Sequence, residues 1–300
     1  MRLGLAAVLL AVGCSVHAPR RGDALAPTIR LGPDRTAVAY DDPREADKRV
    51  LLDRINRDRA AAGLPPLRYE PRASLVGDLF CLDAALGGFW GHWDNLGRPP
   101  FVRWGLSGGV DFHAQNSAAI SSSDGTTERP VLALMLETHQ AMMDEKPPKD
   151  GHRRTILQPE YTHVGIGVAV AGGEFRLTQE FTRVAFEWIE IPSKPLVAGA
   201  TATFAGRPLA GWEVGAVEIR HEPPPRPLSA RQLRRLGSYG YPNLVHTLTD
   251  FAVDGTGAVS VQFRLSEGPG HYFVLCFVGN RMRPELGLTP ATAAMITALP

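Results

Sequence analysis

Between residues 45 and 62 apolar side chains return at helical spacing, with Val50, Leu51, Ile55 and Ala62 near one face and Gly63 placed as a stop. The pattern predicts a helix from Pro43-Arg44-Glu45 to Ala62. A second helix is predicted from Ala73 to Ala85, where Leu75, Val76, Leu79 and Leu82 share a face and Gly87-Gly88 ends the run. Thr127-Glu128-Arg129-Pro130 opens a third, because a proline in the first turn forfeits only an amide proton the helix leaves unbonded. That helix runs to Met143.

Between them, Asp111 to Ile120 alternates in part and is bounded by Gly108-Gly109 and by Ser121-Ser122-Ser123-Asp124-Gly125, which predicts a strand. Serine, aspartate and glycine together are what a loop needs, so the serine cluster reads as a turn and not as a nucleophile. Glu145 to Gly151 is a loop, His152 to Leu157 a short helical turn, and Val164 to Val170 and Glu174 to Thr182 are strands hinged at Gly172-Gly173. Helices followed by strands, with no βαβ rhythm, predict an α+β unit in which helices pack on a largely antiparallel sheet.

From Lys194 the character changes. Thr201 to Phe204, Trp212 to Ile219, Val259 to Leu265 and His271 to Val278 are apolar or alternating segments separated by Gly and Pro, which predicts a small β-sandwich of roughly 100 residues. Residues 222–240 interrupt it with a proline-rich stretch and the basic run Arg231-Gln232-Leu233-Arg234-Arg235, read as a solvated helical insertion. The expected organisation is thus a first domain over residues 46–190 and an all-β domain over 195–300, preceded by a Pro/Gly/Arg/Asp-rich tether at 19–45.

Residues 1–18 combine a cationic start, the apolar segment Leu3 to Val12 and a small-residue region, the pattern of an export signal too short to span a bilayer. Ala11-Val12-Gly13-Cys14 resembles a bacterial lipobox, which makes Cys14 the lipidated mature N-terminus; ordinary cleavage after Ala18 is the alternative. Acyl chains on Cys14 would hold the protein at a membrane surface outside the cytoplasm, each buried methylene contributing about 0.8 kcal/mol. The secreted or periplasmic state is the alternative location. Cys81 and Cys276, one per domain, are expected as buried free thiols. With 32 basic against 31 acidic side chains, no one-sided field draws the chain to nucleic acid.

Gly151-His152-Arg153-Arg154-Thr155-Ile156-Leu157, Thr162-His163-Val164-Gly165-Ile166-Gly167-Val168, Leu177-Thr178-Gln179-Glu180-Phe181 and the upstream Gly91-His92-Trp93 stand in the order of a known pattern. Together with Leu51-Leu52-Asp53-Arg54-Ile55-Asn56 and Gly63-Leu64-Pro65-Pro66-Leu67, they resemble the CAP domain, shared by cysteine-rich secretory proteins, antigen 5 and pathogenesis-related proteins. The resemblance covers residues 46–185 and leaves the last third unexplained. It implies a three-layer α/β/α sandwich with a cleft where two histidines and two glutamates meet, the histidines binding a divalent metal such as zinc in some members.

Carried over, the histidines fall on His92 and His152, and the first glutamate on Gln115 of Ala114-Gln115-Asn116. An amide there cannot take a proton at neutral pH, so the general-base role is lost at that position. The second glutamate falls by register on Thr138, with Glu137 and His139 as flanking candidates. His113, two residues before Gln115, shares its strand face and is a third candidate ligand.

Three readings follow. The first is an exported, surface-anchored, non-catalytic module whose His92–His152 cleft binds a divalent metal or a small ligand. The second is a metal-dependent hydrolase in which Glu137 or Glu145 acts as the base, although no His-Glu-x-x-His helix or Gly-x-Ser-x-Gly elbow is present. The third is a structural or adhesive protein with a vestigial cleft.

Overall fold

The computed structural model describes residues 29–30, 39–40, 42–121, 129–282, 285 and 287–300. Cys14, the export signal, most of the tether, Ser122, Ser123, and Thr127 and Glu128 of the proposed opening of the third helix lie outside these residues.

A two-residue ladder, β1 (Ile29–Arg30) with β2 (Ala39–Tyr40), precedes helix α1 (Glu45–Ala61). The chain then runs through β3 (Arg68–Tyr69), α2 (Pro71–Gly87), α3 (Pro100–Leu106), β4 (Phe112–Ser121), α4 (Val131–Met143), α5 (Gly151–Ile156), β5 (His163–Ala171) and β6 (Glu174–Arg183). These form a sheet of order β3-β5-β6-β4, antiparallel except for the parallel β3–β5 pair. The fold is α+β, as expected.

Strand parity decides what each helix meets. Val164, Ile166 and Val168 of β5 and Phe175, Leu177 and Phe181 of β6 share a core with Leu51, Leu52 and Ile55 of α1 and Leu134, Met135 and Met142 of α4. The opposite face of β5 is glycine, and α2 lies on it. A Cβ on Gly167 would sit 2.2 Å from the Gly77 carbonyl carbon, and one on Gly165 2.2 Å from the Ser74 nitrogen. Gly165-Ile166-Gly167 therefore sets the depth at which α2 docks. Gly167→Ala is expected to lose about 1–3 kcal/mol of unfolding free energy, since both clashing partners are backbone or buried side chain. Urea unfolding checks this, and an unchanged midpoint and slope would refute the close contact.

The buried faces of the helices differ from the sequence expectation. Val50 is exposed, and α1 buries Lys48, Leu51, Leu52, Ile55 and Arg59. On α2, Leu79 and Leu82 are exposed, while Ala73, Ser74, Val76, Gly77, Phe80, Cys81 and Ala84 are buried. Leu75 is buried with Val76 as expected, and close approach to a glycine-faced strand favours small residues on the rest of the covered face, which leaves Leu79 and Leu82 outside it. Both buried cations on α1 find partners: Lys48 Nζ bonds Asp42 (2.6 Å) and Asp78 (2.5 Å), and Arg59 Nη1 donates to the carbonyls of Ile156 (2.7 Å) and Gln158 (2.9 Å), leaving Arg59 Nη2 unbonded.

The second unit begins earlier than expected. β7 (Phe186–Glu190), assigned to the first domain by sequence, pairs with β9 (Thr201–Pro208). With β12 (Ala252–Val253) and β13 (Val259–Arg264) they form a sheet of order β12-β13-β9-β7. The facing sheet orders β11 (Asn243–Leu248), β10 (Trp212–Glu222), β14 (Gly270–Asn280), β16 (Ala294–Leu299) and β8 (Leu196–Val197), with β15 (Thr289–Pro290) on β14. Phe204, Val217, Ile219, Val261, Tyr272, Val274 and Ile296 fill the space between the sheets, the core of a β-sandwich.

The two units share a continuous interface. Phe101 and Val102 of α3 pack with Phe273 and Leu275 of β14. Beside them Phe112 N–H donates to the Ala291 carbonyl (3.1 Å) and Ala293 N–H to that of Val110 (2.9 Å), flanking a bridge between Asp111 and Thr292. The expected solvated insertion is a strap. Its helix α6 (Ala230–Leu233), capped by Ser229 and Gln232, buries Leu233 among Phe80, Ala84 and Phe89, while Arg231, Arg234 and Arg235 stay exposed. Cys81 and Cys276 are buried free thiols, each with its pKa pushed up by burial.

Candidate functional site

His92 sits on the loop after α2, and its carbonyl accepts from Arg103 Nη1 (2.8 Å). The same Arg103 nitrogen also donates to the Arg98 carbonyl (2.8 Å), so α3 holds the loop as a unit. His152 is the second residue of α5. Its N–H donates to Glu145 Oε2 (3.0 Å) and its Nδ1 lies 2.5 Å from Glu145 Oε1. Asn116 of β4 donates to the His152 carbonyl (3.0 Å), tying this turn to the sheet edge. Both rings line one cavity of about 670 Å³ together with His113, Gln115 and Glu145.

The proton positions follow from the acceptors. Glu180 is fully buried, and its Oε1 accepts from Gln115 Nε2 (2.8 Å) while His113 Nε2 meets Oε2 (2.8 Å). A carboxylate only accepts, so the amide nitrogen of Gln115 faces it and the amide oxygen faces His92 Nδ1 at 2.9 Å. His92 therefore carries its proton on Nδ1, and Nε2 keeps the lone pair. Glu145 imposes the same arrangement on His152. Two imidazoles of matching tautomer thus border one cavity, each oriented by an oxygen acceptor behind it.

Burial pushes the His92 pKa down, and the Arg103 charge pushes the same way against the Gln115 hydrogen bond, so the ring is neutral at pH 7. Glu180 goes the other way. Burial alone would raise its carboxyl, but His113, Arg103 and Gln115 outweigh that and hold it below the usual range, ionised. His113 stacks on Trp104 with ring centroids 5.5 Å apart and planes 16° from parallel. Its Nε2 is engaged with Glu180, so this ring supports the site from behind.

The α4 candidates are elsewhere. Glu137 lies on the exposed face of α4, paired with Arg129. Thr138 is buried and returns its hydroxyl to the Leu134 carbonyl (2.7 Å). His139 packs on the far side of the sheet between Asp58 (Nε2–Oδ2 2.9 Å) and Gln179 (3.0 Å). The register estimate fails because α4 serves the apolar core, and the acid reaching the cavity is Glu145, in the loop that follows. Glu180, the acid behind Gln115, stands in the stretch that resembles the family and takes no role from the sequence. The signal for it is the polar set Arg176, Thr178, Glu180 and Thr182 on alternate β6 positions, all buried here.

The second domain completes the wall. Tyr239 stacks edge-on against His92 (centroids 4.8 Å, planes at 61°), and its hydroxyl accepts the Gln115 main-chain N–H at 2.7 Å. Tyr241 tilts onto Phe112 at 5.7 Å, and Arg183 Nη1 donates to Thr289 Oγ1 (2.6 Å) and the Pro290 carbonyl (2.9 Å). Tyr161, Phe101 and Phe273 add to its aromatic lining. Among the described residues no cluster of three or more His, Cys, Asp or Glu is arranged to hold a metal, and no helix is long and apolar enough to cross a membrane.

No curated protein matches the chain. Solved structures similar to it include an extracellular protein containing a SCP domain from Bacillus anthracis str. Ames, at 21% identity and TM-score 0.37 over 46% of this chain and 41% of that one. An outer surface protein from Borrelia burgdorferi aligns at 12% identity and TM-score 0.38 over 47% of this chain and 94% of that one. Na-ASP-1 aligns at 16% identity and TM-score 0.30 over 46% and 36%. The chain thus spans less than half the length of the first of these. The model of the cysteine-rich secretory protein family, CAP, matches residues 52–181, the stretch that contributes His92, Gln115, Glu145, His152 and Glu180. Residues 52–181 are therefore a CAP domain, the domain of the cysteine-rich secretory protein family.

Proposed function

We propose that this is an exported CAP-domain protein, held at a membrane surface by lipid on Cys14, whose cleft binds a divalent metal such as zinc or a small ligand without catalysing a reaction. The observation that carries the reading is the paired tautomers: His92 Nδ1 against Gln115 and His152 Nδ1 against Glu145 leave two Nε2 lone pairs at one cavity. Imidazoles backed by oxygen acceptors suit a borderline metal, with water or a ligand filling the remaining positions. The residues present fit such an ion as a two-histidine site and offer no closed protein cage.

Zinc titrated against the full chain is expected to raise its melting temperature, equivalent to about 2.7 kcal/mol when free zinc is a hundredfold above Kd. His92→Ala and His152→Ala should each abolish the rise. A wild-type protein whose melting is indifferent to zinc would remove the metal claim.

A second reading as a hydrolase draws on one contact, the Glu145 clamp on His152, which is the geometry that orients an imidazole base. Against it, Gln115 supplies no acid or base beside His92. Chelator-sensitive cleavage of a peptide library, lost in His152→Ala, would replace the binding reading with this one.

A further inference from the structure

We propose that residues 237–242 of the second domain form a hinged gate over the His92 side of the cleft, with Tyr239 as the residue that decides what reaches that ring. The inference rests on the reading of the cavity as a ligand site, and goes beyond it by making access depend on the other domain.

The strap carrying the gate is anchored on both sides. Upstream, Leu228 N–H donates to the Asn95 carbonyl (2.9 Å), the Arg226 backbone lies so close to Gly97 that a Cβ there would be 2.1 Å from the Arg226 oxygen, and Leu233 is 1% exposed in its pocket on α2. Downstream, Arg220 Nη1 donates to the Pro242 carbonyl (2.8 Å) as the chain enters β11. Between these anchors the gate reads Gly237-Ser238-Tyr239-Gly240-Tyr241-Pro242.

At His92 its hold on the first domain is the Tyr239 side chain, with an edge-on contact to that ring, a tilted one to Phe101 (centroids 6.4 Å) and a hydrogen bond from Gln115 N–H, while Tyr241 meets Phe112 beside it. The latch engages the same residue whose amide sets the His92 tautomer, so opening also frees the edge of β4 at the site. Gly237 and Gly240 flank it, and a Cβ on either would meet nothing within 4 Å. No crowding requires glycine at these two positions, and what glycine supplies there is backbone freedom. Two ring contacts and one hydrogen bond on Tyr239 are a latch whose loss changes the open population about tenfold to a hundredfold.

The test uses the full chain and two readouts. Diethyl pyrocarbonate labels unprotonated imidazole, so the labelling rate at His92, read by peptide mass, reports access without any metal; stopped-flow zinc association reports it with one. Tyr239→Ala is expected to speed His92 labelling at least tenfold at unchanged circular dichroism, Tyr239→Phe to speed it less, and Gly237→Ala/Gly240→Ala to slow it. Zinc association should follow the same order. Labelling that accelerates in a protein indifferent to zinc would support the gate while removing the metal reading. Wild-type labelling rates in both Tyr239 variants would overturn the gate. Should Tyr239→Ala fail to fold, Tyr239→Phe with hydrogen exchange at the Gln115 amide decides, faster exchange supporting the latch and unchanged exchange refuting it.

Discussion

Glu180→Leu is expected to cost about 3–5 kcal/mol of unfolding free energy and to weaken zinc binding at a cleft the side chain does not line. Its carboxylate is fully buried and accepts from both His113 Nε2 and Gln115 Nε2, with the Arg103 charge acting on it as well. Removing it leaves an amide and an imidazole without their acceptor and reduces the charge compensation of the buried Arg103 to Asp94 alone. Deleting one partner of such a set costs far more than the set contributes net. Glu180→Gln, which keeps the shape and one acceptor oxygen, should lose less. Pairing Glu180→Leu with His113→Phe should recover part of the loss by removing one stranded group. The binding consequence runs through Gln115, which without Glu180 can turn its nitrogen toward His92 and then no longer specifies the Nδ1 proton. Chemical denaturation and zinc titration of the same variants test both arms. A loss under about 1 kcal/mol would mean the network is not the keel of the site.

How much of this was legible in the sequence depends on what each signal measures. Gly63 and Gly88, at φ +73° and +61°, end α1 and α2 where the glycines read as stops, because left-handed backbone is a local requirement. Strands β4, β5 and β6 fall within a residue of expectation since alternation and the Gly172-Gly173 hinge are local too. The buried faces of α1 and α2 were legible only in part: Leu51, Ile55, Leu75 and Val76 are covered as expected, but Val50, Leu79 and Leu82 are not, because the extent of each stripe depends on the neighbour it meets. Likewise the alternating polar residues of β6 read as a strand half in water, whereas α2 and α3 cover that side and turn it into a polar core holding Glu180. His92, Gln115 and His152 are found through a motif in which each sits beside its glycine or asparagine neighbours. Glu145 and Tyr239 carry no such mark. Glu145 lies in a loop with two prolines, and Tyr239 belongs to a segment whose proximity to the first domain arises only when the two units dock.

Acid is expected to unfold this protein earlier than its carboxylates alone would dictate, and the largest single contributor is His271 on β14. Burial pushes its pKa down from 6.5 to about 4, with His221 and the Arg98 guanidinium of the first domain adding repulsion. Its Nδ1 meets Thr297 Oγ1 of β16 at 3.1 Å, and Glu222 of β10 is its cross-strand neighbour, itself held above the usual carboxylate range by burial. The folded ring thus resists a proton that the unfolded chain accepts, so its stability is complete above pH 6.5 and is lost as the pH falls from there toward 4, by about 3 kcal/mol. His92 and His139 are shifted in the same direction by burial and steepen the loss. Asp58 and Glu180 have lowered pKa values, so what they contribute is present above their unfolded values of 3.8 and 4.5 and fades only below them. Below pH 6.5 the histidines therefore set the loss, opposed by Glu222 and Asp83, whose carboxyls, raised by burial, take up protons more readily in the folded chain. His271→Asn should flatten the slope there, at some cost to stability at pH 7.5, while His92→Ala should flatten it less. Urea midpoints at pH 7.5, 6.5, 5.5 and 5 measure both, and a wild-type curve level across that interval would mean these rings take up protons in the folded chain as readily as in the unfolded one.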